Sequence, residues 1–320
     1  MRTIISLLAI IAIFFVALSL GTTRHYDDGE ISFDYPQSWT NVTPSNPSEV
    51  ITFSDQGSGL NVTVTKVVTP PGYNSPKNYV FNNSEFSNSG FKLISQEVFN
   101  LNGRTAYENV YQINSGNSSI LRKEVWIESN QTIYSIVYTF NRTSKNSSGA
   151  DFYNLKSTMD ESFTSCNFDW LIKSFKVNST KPPSSPFWAD VNIPSIGVKW
   201  GIRSDTVNGY GSVYHYNESY YAGQNGTFGL LGHHTLYSAP FDKIDQLKPG
   251  DEVIIDDYLS QKKYIYQVTS NGQDIRFDYK TNPITFPGGE TDLFLVTCFP
   301  PGTTEAAWIV HCKLSFVEPL

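Results

Sequence analysis

The sequence predicts two folded units, an N-terminal α+β domain and a C-terminal, mainly β domain. Three observations support this prediction. The chain has 320 residues, more than one domain usually contains. Segments that alternate polar and apolar residues with a period of two recur on both sides of a proline-rich stretch. That stretch predicts a stiff, extended linker at residues 179–189, between domains at residues 27–178 and 190–320.

The first half contains four alternating segments that predict antiparallel strands with one solvated face. They are Glu30–Tyr35, Leu60–Val68, Ile120–Glu128 and Thr132–Thr139. Residues Asp151–Phe163 place apolar side chains at spacings of three and four, which predicts an amphipathic helix. A strand over Ile172–Val177 is expected to close this α+β domain.

The second half is expected to be a β-barrel or sandwich, because few amphipathic helical segments compete with its strands. The predicted strands are Ile193–Val198, Val253–Ile255, Lys263–Val268, Thr291–Thr297 and Ala307–Phe316.

The N-terminus carries an apolar run from Ile4 to Leu20, preceded by Arg2. Its length and the absence of a good cleavage site favour an uncleaved signal anchor within residues 1–26 over a removed signal peptide. The expected location is therefore the cell membrane, with one N-terminal span and the remaining chain extracytoplasmic. The net charge of -7 makes nucleic acid an unlikely partner.

The three cysteines, Cys166, Cys298 and Cys312, are too few for a disulfide framework. They also lack the paired spacing of a structural zinc site, so no metal is expected. Cys298 ends an apolar strand and is followed after one residue by Pro-Pro-Gly, which predicts a turn. A rigid strand end facing loops is where nucleophiles are often held, although an isolated cysteine is more often a buried apolar residue.

A histidine at a second strand end makes Cys298 a candidate nucleophile. His233 follows an apolar segment and a glycine, and His234 comes next. The thiolate is the reactive form of cysteine, and an imidazole can accept and return its proton. His233 and Cys298 are therefore the predicted catalytic residues.

Residues 190–320 resemble a sortase domain, and the resemblance is nearest to archaeal sortase-like proteins. Four features carry it, in order: Asn192–Val198, Gly232-His233, Ala239-Pro240-Phe241 with Leu247–Asp251, and Leu295–Cys298. The resemblance implies an eight-stranded β-barrel whose groove accepts an extended peptide, with Cys298 as nucleophile and His233 as its partner. His234 is assigned no role.

The N-terminal domain resembles the PsbP-like (Mog1/PsbP) α+β fold. The resemblance depends on Ile31–Trp39, on Leu101–Arg104, and on the segment leading to Ser174–Val177. Phe33, Tyr35 and Trp39 are more often core residues than ligand contacts, so a packing domain without chemistry is expected.

The sortase resemblance implies a transpeptidase that needs no metal or organic cofactor. Its partners would be surface proteins that carry a Leu-Pro-x-Thr-Gly-like sorting signal, an amine acceptor of the cell envelope, and the membrane through the N-terminal anchor. The Cys298 thiolate would attack the carbonyl before the scissile bond, and His233 would protonate the leaving amine. An incoming amine would then resolve the thioester.

One departure from the family pattern concerns its catalytic arginine, whose position is occupied by Ala307. His311 and Lys313 lie on the same side of that strand but roughly 13 and 20 Å along it. Arg276, before the nucleophile strand, and backbone amides near Phe299 are the alternatives. Cys312 should lie on the order of 16 Å from the Cys298 row, too far for a disulfide.

Three functions are compatible with these residues. The first is an active transpeptidase. The second is a catalytically weakened sortase-like domain that binds envelope peptides or proteins, an alternative motivated by Ala307. The third is a hydrolase that resolves the same thioester with water.

Overall fold

The structure, a computed structural model, describes residues 23–55, 59–73, 91–115, 118–143, 167–178 and 185–320. Their strands form a three-stranded sheet, a seven-stranded sheet and a closed eight-stranded barrel. The two open sheets belong to the half before the proline-rich stretch, and the barrel belongs to the half after it. This arrangement confirms the predicted barrel of the C-terminal half.

The N-terminal half contains ten described strands. They are β1 (Thr23–Asp27), β2 (Ile31–Pro36), β3 (Thr40–Val42), β4 (Glu49–Asp55), β5 (Leu60–Val68), β6 (Phe91–Leu101), β7 (Arg104–Ser115), β8 (Ser118–Ser129), β9 (Thr132–Thr143) and β10 (Lys176–Val177). The seven-stranded sheet is antiparallel in the order β3-β4-β5-β9-β8-β7-β6, and the small sheet has the order β1-β2-β10. The four strands predicted from alternation are all present.

One predicted strand of this half is wrong in part. Residues 167–174 are helical (α1), and only Lys176–Val177 of the predicted strand Ile172–Val177 is extended. The reason is periodicity: Phe168, Leu171, Ile172 and Phe175 are buried at spacings of three and four, which suits one face of a helix. The helix predicted over Asp151–Phe163 lies outside the described residues.

The core of this half is aromatic. Phe33 of β2 packs on Phe53 and on Phe175, with ring centroids 6.1 and 5.8 Å apart, and Phe168 of α1 packs on Tyr138 at 5.2 Å. Both sheets and α1 thus share one hydrophobic cluster. The PsbP-like likeness and the domain boundaries stay predictions.

The barrel contains eight strands and two short 3₁₀ helices. They are β11 (Ala189–Ile193), β12 (Val198–Arg203), β13 (Ser212–His215), β14 (Phe228–Leu231), β15 (Glu252–Asp257), β16 (Lys262–Arg276), β17 (Asp292–Phe299) and β18 (Ala306–Pro319), with 3₁₀ turns at Pro194–Ile196 and Ile244–Gln246. The order is β11-β12-β13-β14-β17-β18-β16-β15, and β15 pairs with β11 to close the barrel. Only β12 with β13 and β14 with β17 are parallel pairs among these strands.

The predicted strand Ile193–Val198 is interrupted in the structure. β11 ends at Ile193, a 3₁₀ turn follows from Pro194, and β12 begins at Val198. Pro194 has no N–H for a ladder, and Gly197 adopts a left-handed φ of 71°, so the chain reverses here. The reversal lets β11 and β12 pair with each other.

The two halves share a hydrophobic core. Val67, Trp126 and Ile133 of the N-terminal half belong to the same buried cluster as the barrel interior. Trp126 Nε1 donates to the Leu259 carbonyl at 3.0 Å, and Arg122 donates to the Gln261 carbonyl at 3.0 Å. The outer face of the seven-stranded sheet therefore supports the barrel.

The structure contradicts the expected membrane location. Among the described residues, no helix is both long enough and apolar enough to cross a membrane. Thr23–Asp27 form β1, so the last residues of the segment predicted as an anchor are extended. The apolar run from Ile4 to Leu20 lies outside the described residues.

Candidate active site

Cys298 lies near the end of β17, on the outer face of the barrel. Phe294 and Val296 share its face and belong to a small outer cluster, whereas Leu293 and Leu295 point into the barrel core. The side chains of a strand alternate between faces, so Cys298 follows Val296 outward. Its thiol is free and half-buried.

His233 reaches the same end of the barrel through the parallel pairing of β14 with β17. Leu231 is opposite Val296, and the contact continues past the strand end because Gly232 N donates to the Val296 carbonyl at 3.0 Å. The Thr297 hydroxyl also donates to the Gly232 carbonyl at 2.7 Å. Continuing this register puts the backbone of His233 beside that of Cys298. The structure thus brings the two predicted catalytic residues to neighbouring strand ends.

The surroundings of His233 favour one tautomer. Its Nε2 lies 3.1 Å from the Val207 carbonyl, which can only accept a hydrogen bond, so Nε2 carries the proton. Nδ1 is then the nitrogen that can accept a proton. The Tyr237 ring packs on the imidazole, with centroids 4.8 Å apart. These contacts hold the ring from two sides.

The loop that carries Tyr237 has an unusual backbone. Tyr237, Ser238 and Ala239 have φ angles of 50°, 73° and 45°, and such left-handed conformations are unfavourable for residues with a Cβ. The loop is fastened by hydrogen bonds from Ala239 N to the Leu236 carbonyl and from Phe241 N to the His233 carbonyl. Strain of this kind is common beside functional residues.

His234, which sequence analysis left without a role, contacts β17 directly. Its Nδ1 lies 2.9 Å from the Cys298 carbonyl, so Nδ1 donates to that oxygen. The imidazole takes the place of a backbone donor at the point where β14 leaves the sheet. His234 therefore holds the backbone of Cys298 in place. The Gly232-His233 motif distinguishes the two histidines in the sequence, but no sequence signal indicates that the His234 ring faces β17.

The thiol lies in a largely apolar environment. Tyr216, Tyr279 and Phe286 pack against the outer cluster that includes Val296. Burial raises the pKa of the Cys298 thiol, and the nearby Lys280 ammonium acts in the opposite direction. The free protein thus holds Cys298 mainly as a thiol at neutral pH, and a base must remove its proton for attack.

Ala307 is directly opposite Cys298 on β18. Arg276 of β16 is directly opposite Ala307 on the other side. His311 is opposite Phe294, four residues along β18 from Ala307, and its Nε2 lies 2.9 Å from the Asp274 carboxylate. Cys312 is buried in the barrel interior as a second free thiol, and Cys166 lies outside the described residues.

The C-terminal half of the chain is similar to known proteins. Residues 191–315 match the model of the sortase domain. The chain is 31% identical over 166 residues to Sortase SrtE1 of Streptomyces coelicolor, a match covering 47% of this chain and 46% of that protein. It is 28% identical over 143 residues to Sortase D of Bacillus subtilis, covering 42% and 67% respectively.

Among solved structures, a Clostridium perfringens Sortase D5 transpeptidase is similar, with 26% identity and a TM-score of 0.35. That match covers 40% of this chain and 79% of the other. The chain thus matches about half the length of Sortase SrtE1. Sortases are cysteine transpeptidases, and residues 191–315 of this chain, which include most of the barrel, are similar to the sortase domain.

Proposed function

We propose that this protein is a cysteine transpeptidase that cleaves a sorting-signal peptide through a Cys298 thioester and transfers the acyl group to an amine. One observation carries the proposal: β14 and β17 end side by side, so the backbone of His233 lies next to that of Cys298, whose thiol is free and half-exposed. A thiol next to an imidazole is the arrangement that nucleophilic acyl transfer needs. The SrtE1 and Sortase D likenesses support the same reaction class.

The proposed first half-reaction forms a thioester. His233 Nδ1 takes the thiol proton, and the Cys298 sulfur attacks the carbonyl carbon of the scissile peptide bond. The tetrahedral intermediate collapses as the C–N bond breaks, and His233 gives the proton to the departing amine. The product amine leaves, and the acyl group stays on sulfur.

The proposed second half-reaction reverses these steps with a new amine. His233 removes a proton from the incoming amine, whose nitrogen attacks the thioester carbonyl. The C–S bond then breaks, and the Cys298 thiolate recovers the proton. We also propose that the incoming amine belongs to an envelope component or to a protein subunit. The proposed relationship to archaeal sortase-like proteins is part of the same proposal.

The test uses the purified full-length chain with Leu-Pro-x-Thr-Gly-like peptides and hydroxylamine as a small amine. We expect a peptide-sized mass increase on Cys298 and formation of the peptide hydroxamate. Cys298→Ala should abolish both, whereas Cys312→Ala, which removes the buried thiol, should retain the adduct if the variant folds. A wild-type protein that forms neither adduct nor hydroxamate with a broad peptide library would refute the proposal.

A second candidate function is a peptide-binding module with weakened catalysis. It is favoured by Ala307, which offers no charge opposite the nucleophile, and by the raised pKa of Cys298. Such a module would bind the peptides with equal affinity in wild type and Cys298→Ala, and it would form no thioester. Isothermal titration beside the mass measurement distinguishes the two functions.

A further inference from the structure

A cleft of about 620 Å³, open to solvent, lies between the seven-stranded sheet and the barrel. Its floor is the face of the sheet that supports the barrel. One wall is the segment around β3 and the start of β4, and the other is formed by the end of β15, the start of β16 and the end of β18. Pro319 of this second wall is twelve residues along β18 from Ala307, roughly 40 Å. The cleft is therefore separate from the candidate active site.

The cleft exists because the sheet face changes from apolar to polar along its strands. Alternate residues of a strand share a face, so Val67, Thr63 and Asn61 of β5 lie on one side of the sheet. Val67 and Ile133, which are paired, belong to the core shared with the barrel. Asn61 and Thr139, which are also paired, line the cleft at the other end. The apolar end thus seals the two halves together, and the polar end leaves a space between them.

The charges that line the cleft cancel. There are two carboxylates, Glu49 and Asp256, and two cations, Arg122 and Lys263, so the formal charge of the lining is zero. Asp256 lies directly opposite Lys263 on the neighbouring strand. A lining with both signs interspersed does not favour a ligand of either charge.

Three of these four groups are also engaged by the protein. Arg122 forms a buried ion pair with Glu124, and Lys263 Nζ lies 3.0 Å from the Glu318 carboxylate. Glu49 accepts hydrogen bonds from the Asn46 amide at 2.7 Å and from the Thr52 hydroxyl at 2.9 Å. These contacts shape the cleft and leave little of the charge for a ligand.

The groups that remain for a ligand are neutral. Among the described residues, the side chains of Thr43, Asn61 and Thr139 line the cleft without making a hydrogen bond to the protein. The amide and the hydroxyls can each donate and accept. Asn61 and Thr139 are directly opposite each other, so their Cβ atoms are about 4.5–5.5 Å apart. Together they offer donors and acceptors at the spacing of neighbouring polar groups on one small ligand.

The remaining lining is apolar, including one aromatic ring. The Tyr258 hydroxyl donates to the Asp190 carboxylate at 2.7 Å, so its ring is the part left for a ligand. Ligand sites combine apolar surface with a few polar groups that fix orientation. A sugar has both features, because its hydroxyls surround rings with apolar C–H faces. At ~30 Å³ per water, the cleft has the volume of about 20 water molecules, which accommodates a di- or trisaccharide. The other apolar residues of the lining are Val42, Ile113, Ile120 and Val137.

We propose that the cleft between the seven-stranded sheet and the barrel binds a neutral oligosaccharide of two or three units, through Asn61, Thr139 and Thr43. The site is additional to the reaction proposed at Cys298 and does not depend on it. Because floor and second wall belong to different halves of the chain, a bound sugar bridges them.

The test is isothermal titration of the full-length chain with maltotriose, mannotriose and triacetylchitotriose. We expect at least one of these neutral probes to bind with a Kd below about 1 mM. Asn61→Ala should weaken binding about two- to tenfold, the value of one hydrogen bond. Thr139→Phe should weaken it more than about tenfold, because the ring occupies the floor of the cleft.

Asn41→Ala is the matched control. Asn41 is likewise an exposed asparagine of the seven-stranded sheet, but it does not line the cleft. It should bind the probe like wild type. Circular dichroism of each variant verifies the fold, and Asn61→Ala removes only an exposed side chain.

Three results would overturn the inference. The first is that no probe binds wild type at concentrations up to about 10 mM. The second is equal affinity of the probe for wild type, Asn61→Ala and Thr139→Phe, which would place the sugar elsewhere. The third is displacement of the probe by glucose 6-phosphate or by a capped tripeptide that binds more tightly, which would assign the cleft to an anion or a peptide. None of these results changes whether Cys298 forms a peptide adduct, so failure of this inference and failure of the transpeptidase function are distinguishable.

Discussion

The barrel buries two ionisable groups whose contributions to stability oppose each other as the pH falls. Burial lowers the pKa of His215 to about 4 and raises the pKa of Asp257 to about 6. His215 lies within hydrogen-bonding distance of the Ser204 and Ser219 hydroxyls, both at 3.1 Å. Asp257 accepts a hydrogen bond from the Ser260 hydroxyl at 2.8 Å. Between about pH 4 and pH 6 both buried groups are therefore neutral.

The sign of each effect follows from proton binding. An unfolded histidine takes up its proton near pH 6.5, but His215 in the folded chain does so only near pH 4. Acidification through this window therefore favours unfolding, by about 3.4 kcal/mol for 2.5 pKa units. For Asp257 the folded state binds the proton first, between about pH 6 and pH 3.8. Acidification then stabilises the fold by about 3 kcal/mol.

Single substitutions should separate these two opposed slopes. We expect the free energy of unfolding of Asp257→Asn, relative to wild type, to fall by about 3 kcal/mol from pH 7.5 to pH 4. For His215→Gln the same difference should rise by about 3 kcal/mol, and for the double variant it should stay nearly constant. Subtracting wild type at each pH removes the contribution of the other titrating groups.

The assay is urea unfolding of the full-length chain followed by tryptophan fluorescence at several pH values. The m-value must be the same across the series, because a changed m-value means a changed unfolding transition. Differences from wild type that stay constant with pH in both single variants would refute the reasoning. Two slopes of the same sign would refute it as well.

Three further predictions concern the site and the contact between the halves. The rate of Cys298 alkylation by iodoacetamide should rise about tenfold per pH unit up to at least pH 9, because burial raises its pKa above 9.0; a plateau below pH 8 would show a thiolate–imidazolium pair in the free protein. Gly232→Ala should reduce the acylation rate at least tenfold, because the new Cβ would lie 2.3 Å from the Phe241 ring and displace His233. As a control, alkylation of Cys312 after unfolding should be unchanged. A fully active variant would contradict this prediction. Trp126→Phe should lower the free energy of unfolding by about 1–3 kcal/mol more than Trp39→Phe does. The reason is that Trp126 Nε1 donates a hydrogen bond to the Leu259 carbonyl, whereas the equally buried Trp39 Nε1 has no hydrogen-bond partner. Equal losses in urea unfolding would contradict this prediction.

Local pattern was enough to predict much of the fold. Alternation located β5 at Leu60–Val68 with the observed bounds, because one face of the sheet is buried and the other is not. Short apolar runs were ambiguous: residues 172–174 are helical although Ile172–Val177 suggested a strand. The turn at Pro194 interrupts another predicted strand, because proline lacks the backbone N–H that donates a hydrogen bond in a strand ladder.

The sequence suggests Cys298 and His233 as the catalytic pair because their residue types are chemically distinctive, but it does not reveal the residues that contact them. Cys298 and His233 stand at the ends of recognisable strands. The role of His234 depends on which imidazole turns toward β17, and the position of Arg276 depends on its pairing with Ala307 across β18. A shift of one residue in that pairing would send Arg276 to the opposite face, and the sequence of one strand does not encode its partner's register.

The two faces of β17 explain why a single residue of this strand can be reactive. Leu293 and Leu295 fill the barrel core, and Phe294 and Val296 are covered on the outside by residues such as Phe286. Because both faces of β17 are packed, its sequence lacks the alternation of polar and apolar residues that is typical of a strand with one solvated face. Only the end of β17 reaches a groove. Small substitutions at Phe294 or Val296 must therefore change stability and activity together. Ala307, which is 3% exposed, belongs to the same outer cluster, so enlarging its side chain must also change stability and activity together.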